Sequence, residues 1–162
     1  MNRVARYSGY LALSAALVGL DQIVKHLAIA RLLGSPPVEV LPFLEWHLVY
    51  NTGAAFGFLH DAGGVQHYLF TGIAAVVSAA ILVWLWRLPA RSRLLSWALI
   101  LVLAGGVGNL IDRIRYRHVV DFINLHYQDW YFPAFNVADM AITFGVICFL
   151  LDALSRRNEG SG

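Results

Sequence analysis

Asp121 and Asp139 are two carboxylates 18 positions apart, flanking the start of the last long apolar stretch of the chain. The second sits in Phe135-Asn136-Val137-Ala138-Asp139-Met140-Ala141, where the hydrophobic run that continues to about Leu154 has already begun. An ionised carboxylate inside a lipid-spanning segment costs a few kcal/mol or more. Such a group is tolerated when it is neutralised, paired or used. Two carboxyls brought together can share one proton and run acid–base chemistry on a water.

The elements that must position this pair are membrane spans. Of 162 residues, 59% are hydrophobic and only 14% charged, too apolar for an ordinary soluble domain. Several apolar stretches are about 20 residues long, enough to cross a hydrocarbon core of roughly 30 Å as a helix. The expectation is an all-α integral membrane protein with four transmembrane helices and a small β-rich part outside the bilayer. The spans are expected at about 8–30, 67–86, 94–111 and 134–154, with outer loops at 31–66 and 112–133, all in one membrane-embedded domain. The first span begins like a signal peptide, with Arg3 and Arg6 before an apolar run, and Ala28-Ile29-Ala30 resembles a cleavage site. Asp21 and Lys25 interrupt that run and the helical pattern continues past them, so the reading is a retained span.

Positive charge orients the spans. Arg3, Arg6, Arg87, Arg91, Arg93, Arg156 and Arg157 fall on one side of a four-span arrangement, which should be the cytoplasm, with both termini inside. The other side carries Arg31, Arg113, Arg115 and Arg117. The net charge of +2 is too small to suggest nucleic-acid binding. The working expectation is a monomer.

With this orientation, the intramembrane polar groups of three spans meet at one depth near the outer surface. Asp21 and Lys25 are spaced i, i+4 in the outer half of span 1 and can pair. Span 3 ends in Gly105-Gly106-Val107-Gly108-Asn109-Leu110-Ile111-Asp112-Arg113, where Gly105, Asn109 and either Asp112 or Arg113 share a face. Span 4 opens with Asn136 and Asp139, with Thr143 one turn deeper. Asp121 lies on the loop that feeds span 4. Each feature also has a plainer account. Asp21–Lys25 could be a self-neutralising helix pair, the glycines a close-packing surface, and Asp112–Arg113 an interfacial anchor. Asn136 could cap span 4, with Asp139 favoured by the helix N-terminus.

The outer loops carry further signals. Gly34-Ser35-Pro36-Pro37 marks a turn, and Val38–Val40 and Phe43–Tyr50 alternate like short strands. Asn51-Thr52-Gly53-Ala54-Ala55-Phe56-Gly57 is a run of small residues that could let a bound peptide approach the backbone, or could be an ordinary turn. Trp130, Tyr131 and Phe132 form an interfacial aromatic cluster. The tail after Arg156 reads as frayed. A lone Cys148 in mid-span and six histidines without ligand spacing suggest no disulfide, metal or cofactor.

Taken in order, Asp21-Gln22-Ile23-Val24-Lys25, Asn51 to Gly57, Gly105 to Arg113, Val119-Val120-Asp121-Phe122 and Phe135 to Asp139 give the chain a resemblance to a known family. It resembles the bacterial lipoprotein signal peptidases, signal peptidase II, over nearly its whole length. The resemblance implies an inner-membrane aspartic endopeptidase working near the periplasmic face. Its substrates would be prolipoproteins carrying a diacylglyceryl-modified cysteine, cut just before that cysteine, with globomycin-type cyclic peptides as inhibitors. Asp121 and Asp139 fall where the family has its catalytic pair. Asn51, Gly53, Asn109, Arg113 and Asn136 fall on positions that support substrate or dyad. Asp21 and Lys25 match a motif whose role is more structural, and Gly105 and Asp112 belong with them.

Two other classes stay open at this level. A proton-coupled carrier also buries Asp and Lys, but would need polar groups through the full thickness, and the inner halves of the spans are nearly pure Leu, Ile, Val and Ala. A rhomboid-like serine protease would need a GxSG motif and a paired intramembrane histidine, which this chain lacks.

Overall fold

A computed structural model describes residues 2–53 and 65–159. Its elements, in chain order, are α1 (Arg3–Leu32), β1 (Val38–Leu41), β2 (Leu44–Asn51), α2 (Val65–Arg87), α3 (Arg93–Tyr116), β3 (Val119–Tyr127), β4 (Trp130–Tyr131) and α4 (Val137–Glu159). All four helices are long and apolar enough to cross a membrane.

The helices are built for lipid. The buried residues of α1 are Ser14, Asp21, Lys25, Ala28 and Leu32, a stripe down one face. Polar groups occupy the inward stripe while Leu20, Ile23 and Leu27 face outward, the reverse of a soluble helix. α3 is the central helix and packs against the other three. Its tightest neighbour is α4. A Cβ at Gly105 would land on the carbonyl oxygen of Ala138 and 2.7 Å from Ile142, and one at Gly145 would meet Val102 and the Ala98 carbonyl oxygen. Small residues on both helices thus let the backbones close on each other, the packing that lipid-embedded helices favour. At one end of the bundle, Leu85, Leu88, Leu95 and Leu99 form an apolar core.

Four antiparallel strands lie beyond the other end, in the order β1-β2-β3-β4. The two strands expected at 38–40 and 43–50 are β1 and β2, close to their expected bounds. The 112–133 region departs from expectation. α3 continues five residues past Ile111, so Asp112 and Arg113 are helical rather than loop residues. It ends at Arg117, whose left-handed backbone (φ 62°) turns the chain into β3. Asp121 therefore stands on a strand. Val119-Val120-Asp121-Phe122-Ile123 is β-branched and aromatic enough to pair with β2, a propensity that the carboxylate and the assumed loop obscured.

The ends of two further helices also differ from the reading. α1 starts at Arg3, because Asn2 caps it by accepting a hydrogen bond from the Ala5 N–H at 2.8 Å. α4 starts at Val137, not Ala134, because Phe135 is held in the sheet by two backbone bonds with Ile123. It runs through Glu159, so the segment after Arg156 stays helical for three residues. Of the small-residue run at 51–57, Ala54 to Gly57 lie outside the described residues.

Candidate active site

Three elements fix Asp121. It faces Val49 in the β2–β3 register, and Asn51 pairs with Val119, so Asn51 and Asp121 are diagonal neighbours on one face of the sheet. The Asn51 Nδ2 donates to Asp121 Oδ2 at 2.9 Å. Asn51 is itself held, because its Oδ1 accepts from the Gly53 N–H at 2.8 Å in a tight turn. Gly53 has φ +88°, and a Cβ there would press on the Phe70 ring at 2.6 Å, so only glycine fits. Its N–H is spent inside this turn. If the run at 51–57 lets a bound peptide approach the backbone, the Gly53 N–H is not a free donor for it.

Asp139 is fixed by the start of α4. The Asn136 side chain accepts from the Asp139 N–H at 3.0 Å, and Asp139 Oδ2 accepts from the Asn136 N–H at 3.1 Å. This reciprocal pair is a capping box written with Asn and Asp. It leaves Asp139 Oδ1 to accept from Asn109 Nδ2 at 2.8 Å.

Asn136 joins the two carboxylates. Its Nδ2 donates to Asp121 Oδ1 at 2.6 Å, while its Oδ1 caps Asp139. The reason is local. Phe135 bridges to Ile123 on β3, so the residue that opens α4 must stand beside Asp121. The plain account of Asn136 as a helix cap is correct, and the same side chain also ties the two aspartates. Each carboxylate accepts two hydrogen bonds from neutral donors, leaving part of its acceptor capacity free.

The two aspartates differ in environment. Asp121 is 1% exposed and Asp139 is half-buried. Burial pushes the Asp121 carboxyl up from 3.8 to about 6. The Asn51 hydrogen bond opposes this, the nearby Asp139 charge adds to it, and Asn136 and Lys25 oppose it again.

Behind this pair lies a buried charge network. Lys25 Nζ donates to Asp21 Oδ2 at 2.9 Å, to Asp112 Oδ2 at 2.8 Å and to Asn109 Oδ1 at 2.9 Å. An ammonium has three donors, and all three are used. The Asp21–Lys25 pair is thus more than a self-neutralising i, i+4 pair, since Asp112 from α3 shares the cation. Asp112 is 1% exposed, so it is no interfacial anchor. The surplus negative charge is met by N–H groups. Gln22 Nε2 donates to Asp112 Oδ1, the Val120 N–H to Asp112 Oδ2, and the Ala138 N–H to Asp21 Oδ1. One cluster therefore ties α1, α3, the start of β3 and the start of α4. Lys25 also fixes the Asn109 amide. By holding its oxygen, it turns the Asn109 NH₂ toward Asp139.

Asp139 opens onto a cleft of about 320 Å³. Phe70, Ile73 and Val77 of α2 and Ile142 of α4 form its apolar walls, and Asn109, Arg113 and Asp139 its polar end. The Arg113 guanidinium lies 5.9 Å above the Phe70 ring and donates to the Asn109 carbonyl oxygen at 3.3 Å. Asp112 and Arg113 thus divide the labour that the sequence left undecided, with Asp112 turned into the network and Arg113 into the cleft.

The structure brings together Asp121, Asp139, Asn51, Asn109 and Asn136, with Asp21, Lys25 and Asp112 directly behind them. Arg113 lines the cleft, Gly53 supports Asn51, and Gly105 packs α3 on α4. Sequence reasoning missed Gln22 and Phe70. Gln22 carried a signal, being a polar residue adjoining Asp21 inside a span. Phe70 carried none, since an aromatic in a membrane helix is ordinary.

Comparison with known proteins gives this constellation a family. A family model described as signal peptidase (SPase) II matches residues 13–155. The chain is 52% identical over 143 residues to the lipoprotein signal peptidase of Acinetobacter baylyi, covering 88% of this chain and 80% of that one. It is 48% identical over 153 residues to the lipoprotein signal peptidase of Pseudomonas syringae pv. tomato, covering 93% and 88%. A solved bacterial membrane enzyme, determined by the in meso method at 2.3 Å resolution, superposes with a TM-score of 0.76 at 28% identity, covering 94% of this chain and 91% of that one. The matched stretch includes every residue of the cluster just described, and so the chain belongs to the signal peptidase II family.

Proposed function

We propose that this protein is an intramembrane aspartic endopeptidase that removes signal peptides from diacylglyceryl-modified prolipoproteins, cutting before the lipid-modified cysteine. The observation that carries this reading is Asn136 holding a buried and a cleft-facing aspartate in one hydrogen-bonded unit. Four spans and a small sheet act as a single peptidase domain around it.

Asp121, with its raised pKa, holds the shared proton and polarises the scissile carbonyl. Asp139, at the cleft, takes a proton from water as the water attacks. The tetrahedral diol collapses with proton return to the leaving amine. Asn109 and Asn136 keep both carboxylates oriented, and Asn51 steadies Asp121. Arg113 adds positive charge at the polar end of the cleft, where the developing oxyanion would be stabilised. The apolar walls suit an extended peptide beside its acyl chains, which lie in lipid and restrict where the scissile bond sits. No serine or cysteine chemistry is required. A globomycin-type cyclic peptide would occupy the same cleft.

The decisive experiment is incubation of the purified protein with a lipid-modified and an unmodified prolipoprotein. Cleavage of the modified form alone is expected, and equal cleavage of both would refute the substrate assignment. In the same assay, kcat/KM should fall on the alkaline side through an apparent pKa near 6, because the Asp121 carboxyl then ionises beside Asp139 and the shared proton is lost. A flat profile from about pH 5 to 8 would count against proton sharing at this pair.

The arginine bias supports both termini on the cytoplasmic side, with the sheet and site at the opposite, periplasmic face. The family resemblance carries the reading of a bacterial inner-membrane protein, and a monomer is the working proposal. Reporter fusions after Gly162 and in the Gly34–Ser35 turn should then read opposite sides. The same side for both would overturn this topology.

A further inference from the structure

A second cavity lies away from the aspartates. It measures about 290 Å³ and lies between the outward-facing end of α1 and the sheet. Val24, Leu27, Ala28 and Leu32 of α1 line it together with Trp46 of β2 and Phe122 of β3. Among the described residues, the charged group on its wall is Arg31, in the last turn of α1. None of these residues lines the cleft that contains Asp139.

We propose that this cavity is a phospholipid site, taking one acyl chain against Trp46 and Phe122 with an anionic headgroup on Arg31. The cavity cuts into the apolar cluster of Ala28, Leu32 and Phe122 rather than lying on a flat lipid-facing surface. The space is open on one side, and unless an apolar group fills it, its walls forfeit packing contacts. A methylene chain restores them. The route in is continuous, since Leu20, Ile23 and Leu27 form an exposed apolar stripe along α1 leading from mid-span to the cavity.

Charge selects the headgroup. Arg31 is exposed and has no ion-pair partner among the described residues. Nor is it needed to cap its helix. The Leu33 N–H donates to the Ile29 carbonyl, and the Ser35 N–H and hydroxyl donate to the Leu32 and Arg31 carbonyls. Its guanidinium is free for a phosphate at the membrane interface. An occupied cavity would brace β3 at Phe122, the residue next to Asp121, against α1. The site would thus connect lipid composition to the strand that carries the buried aspartate. The inference concerns lipid binding alone and does not depend on the peptidase reading.

The test uses the full-length protein in phosphatidylcholine nanodiscs doped with either brominated phosphatidylglycerol or brominated phosphatidylcholine. Quenching of Trp46 is read as the difference between the wild type and Trp46→Phe. Brominated phosphatidylglycerol should reach half-maximal quenching at an about fivefold lower mole fraction, the worth of one arginine facing an anionic lipid. Arg31→Gln, an exposed substitution, should abolish that preference. Ala28→Leu, which narrows the cavity, should weaken Trp46 quenching by both lipids. Equal quenching by the two lipids, or a preference that survives Arg31→Gln, would overturn the headgroup assignment. Unchanged quenching in Ala28→Leu would overturn the chain assignment. Displacement of the brominated lipid from Trp46 by a lipid-modified prolipoprotein would give the cavity to substrate and refute the proposal.

Discussion

Asp121→Asn and Asp139→Asn should each abolish cleavage of a lipid-modified prolipoprotein while the protein still accumulates in the membrane. The loss should be on the order of 10⁴-fold or more, because catalytic groups that act as a unit fail as a unit. Stability should behave differently. The folded state binds the Asp121 proton more tightly than the unfolded chain does, since its pKa is raised from 3.8 to about 6. That contribution to stability is fully present below about 3.8 and is lost as pH rises through about 6. Above that, the buried charge works against the fold, and Asp121→Asn removes it. The substitution also leaves one of the two amide donors, from Asn51 or Asn136, without its acceptor, a cost of about 1–3 kcal/mol. The two effects oppose each other, so the thermal midpoint in detergent at pH 7.5 should move by only a few degrees. Substantial activity in either variant, read by gel shift of the prolipoprotein, would remove the pair from the mechanism.

Lys25→Met should have the opposite signature, a collapse of stability before any question of rate. Its ammonium is the shared partner of Asp21 and Asp112, and all three side chains are at most 3% exposed. Taking out one member of a buried ion cluster leaves uncompensated charge and costs about 3–5 kcal/mol. Membrane accumulation and thermal stability should both drop. Combining it with Asp21→Asn and Asp112→Asn should recover part of the stability, because the orphaned charge is the larger part of the loss. The triple variant should still cleave less well than wild type, since the Asn109 oxygen keeps only the longer bond from Asn136 Nδ2 (3.2 Å) to turn its NH₂ toward Asp139. A Lys25→Met protein as stable as wild type would show that the carboxylates find other partners and that the network is not what holds the four elements together.

Much of this was legible from residues alone. Asp and Lys in apolar runs are costly enough to stand out, and a helical repeat of 3.6 residues told which of them shared a face. Charge bias then put three such faces at one depth. The same logic failed for Asp121. A strand signal needs period-2 alternation against a partner, and β3 is mostly buried on both faces, so Val119 to Ile123 reads as a short apolar run with an aspartate in it. Helix ends were misjudged for a related reason. α3 runs past its apolar stretch through Asp112, which is buried against a lysine 87 positions earlier in the chain.

By itself the sequence determined the membrane class, the four spans and the short list of polar residues that lipid would not tolerate unpaired, because burial in hydrocarbon penalises each such residue wherever it falls. Only the tertiary structure decided how they pair. The Ile123–Phe135 bridge brings Asn136 to Asp121, and Lys25 donates to Asp21, Asp112 and Asn109 together. Apart from the i, i+4 pair of Lys25 with Asp21, those choices join residues from different elements, and such distances are set by packing rather than by any local pattern in the chain.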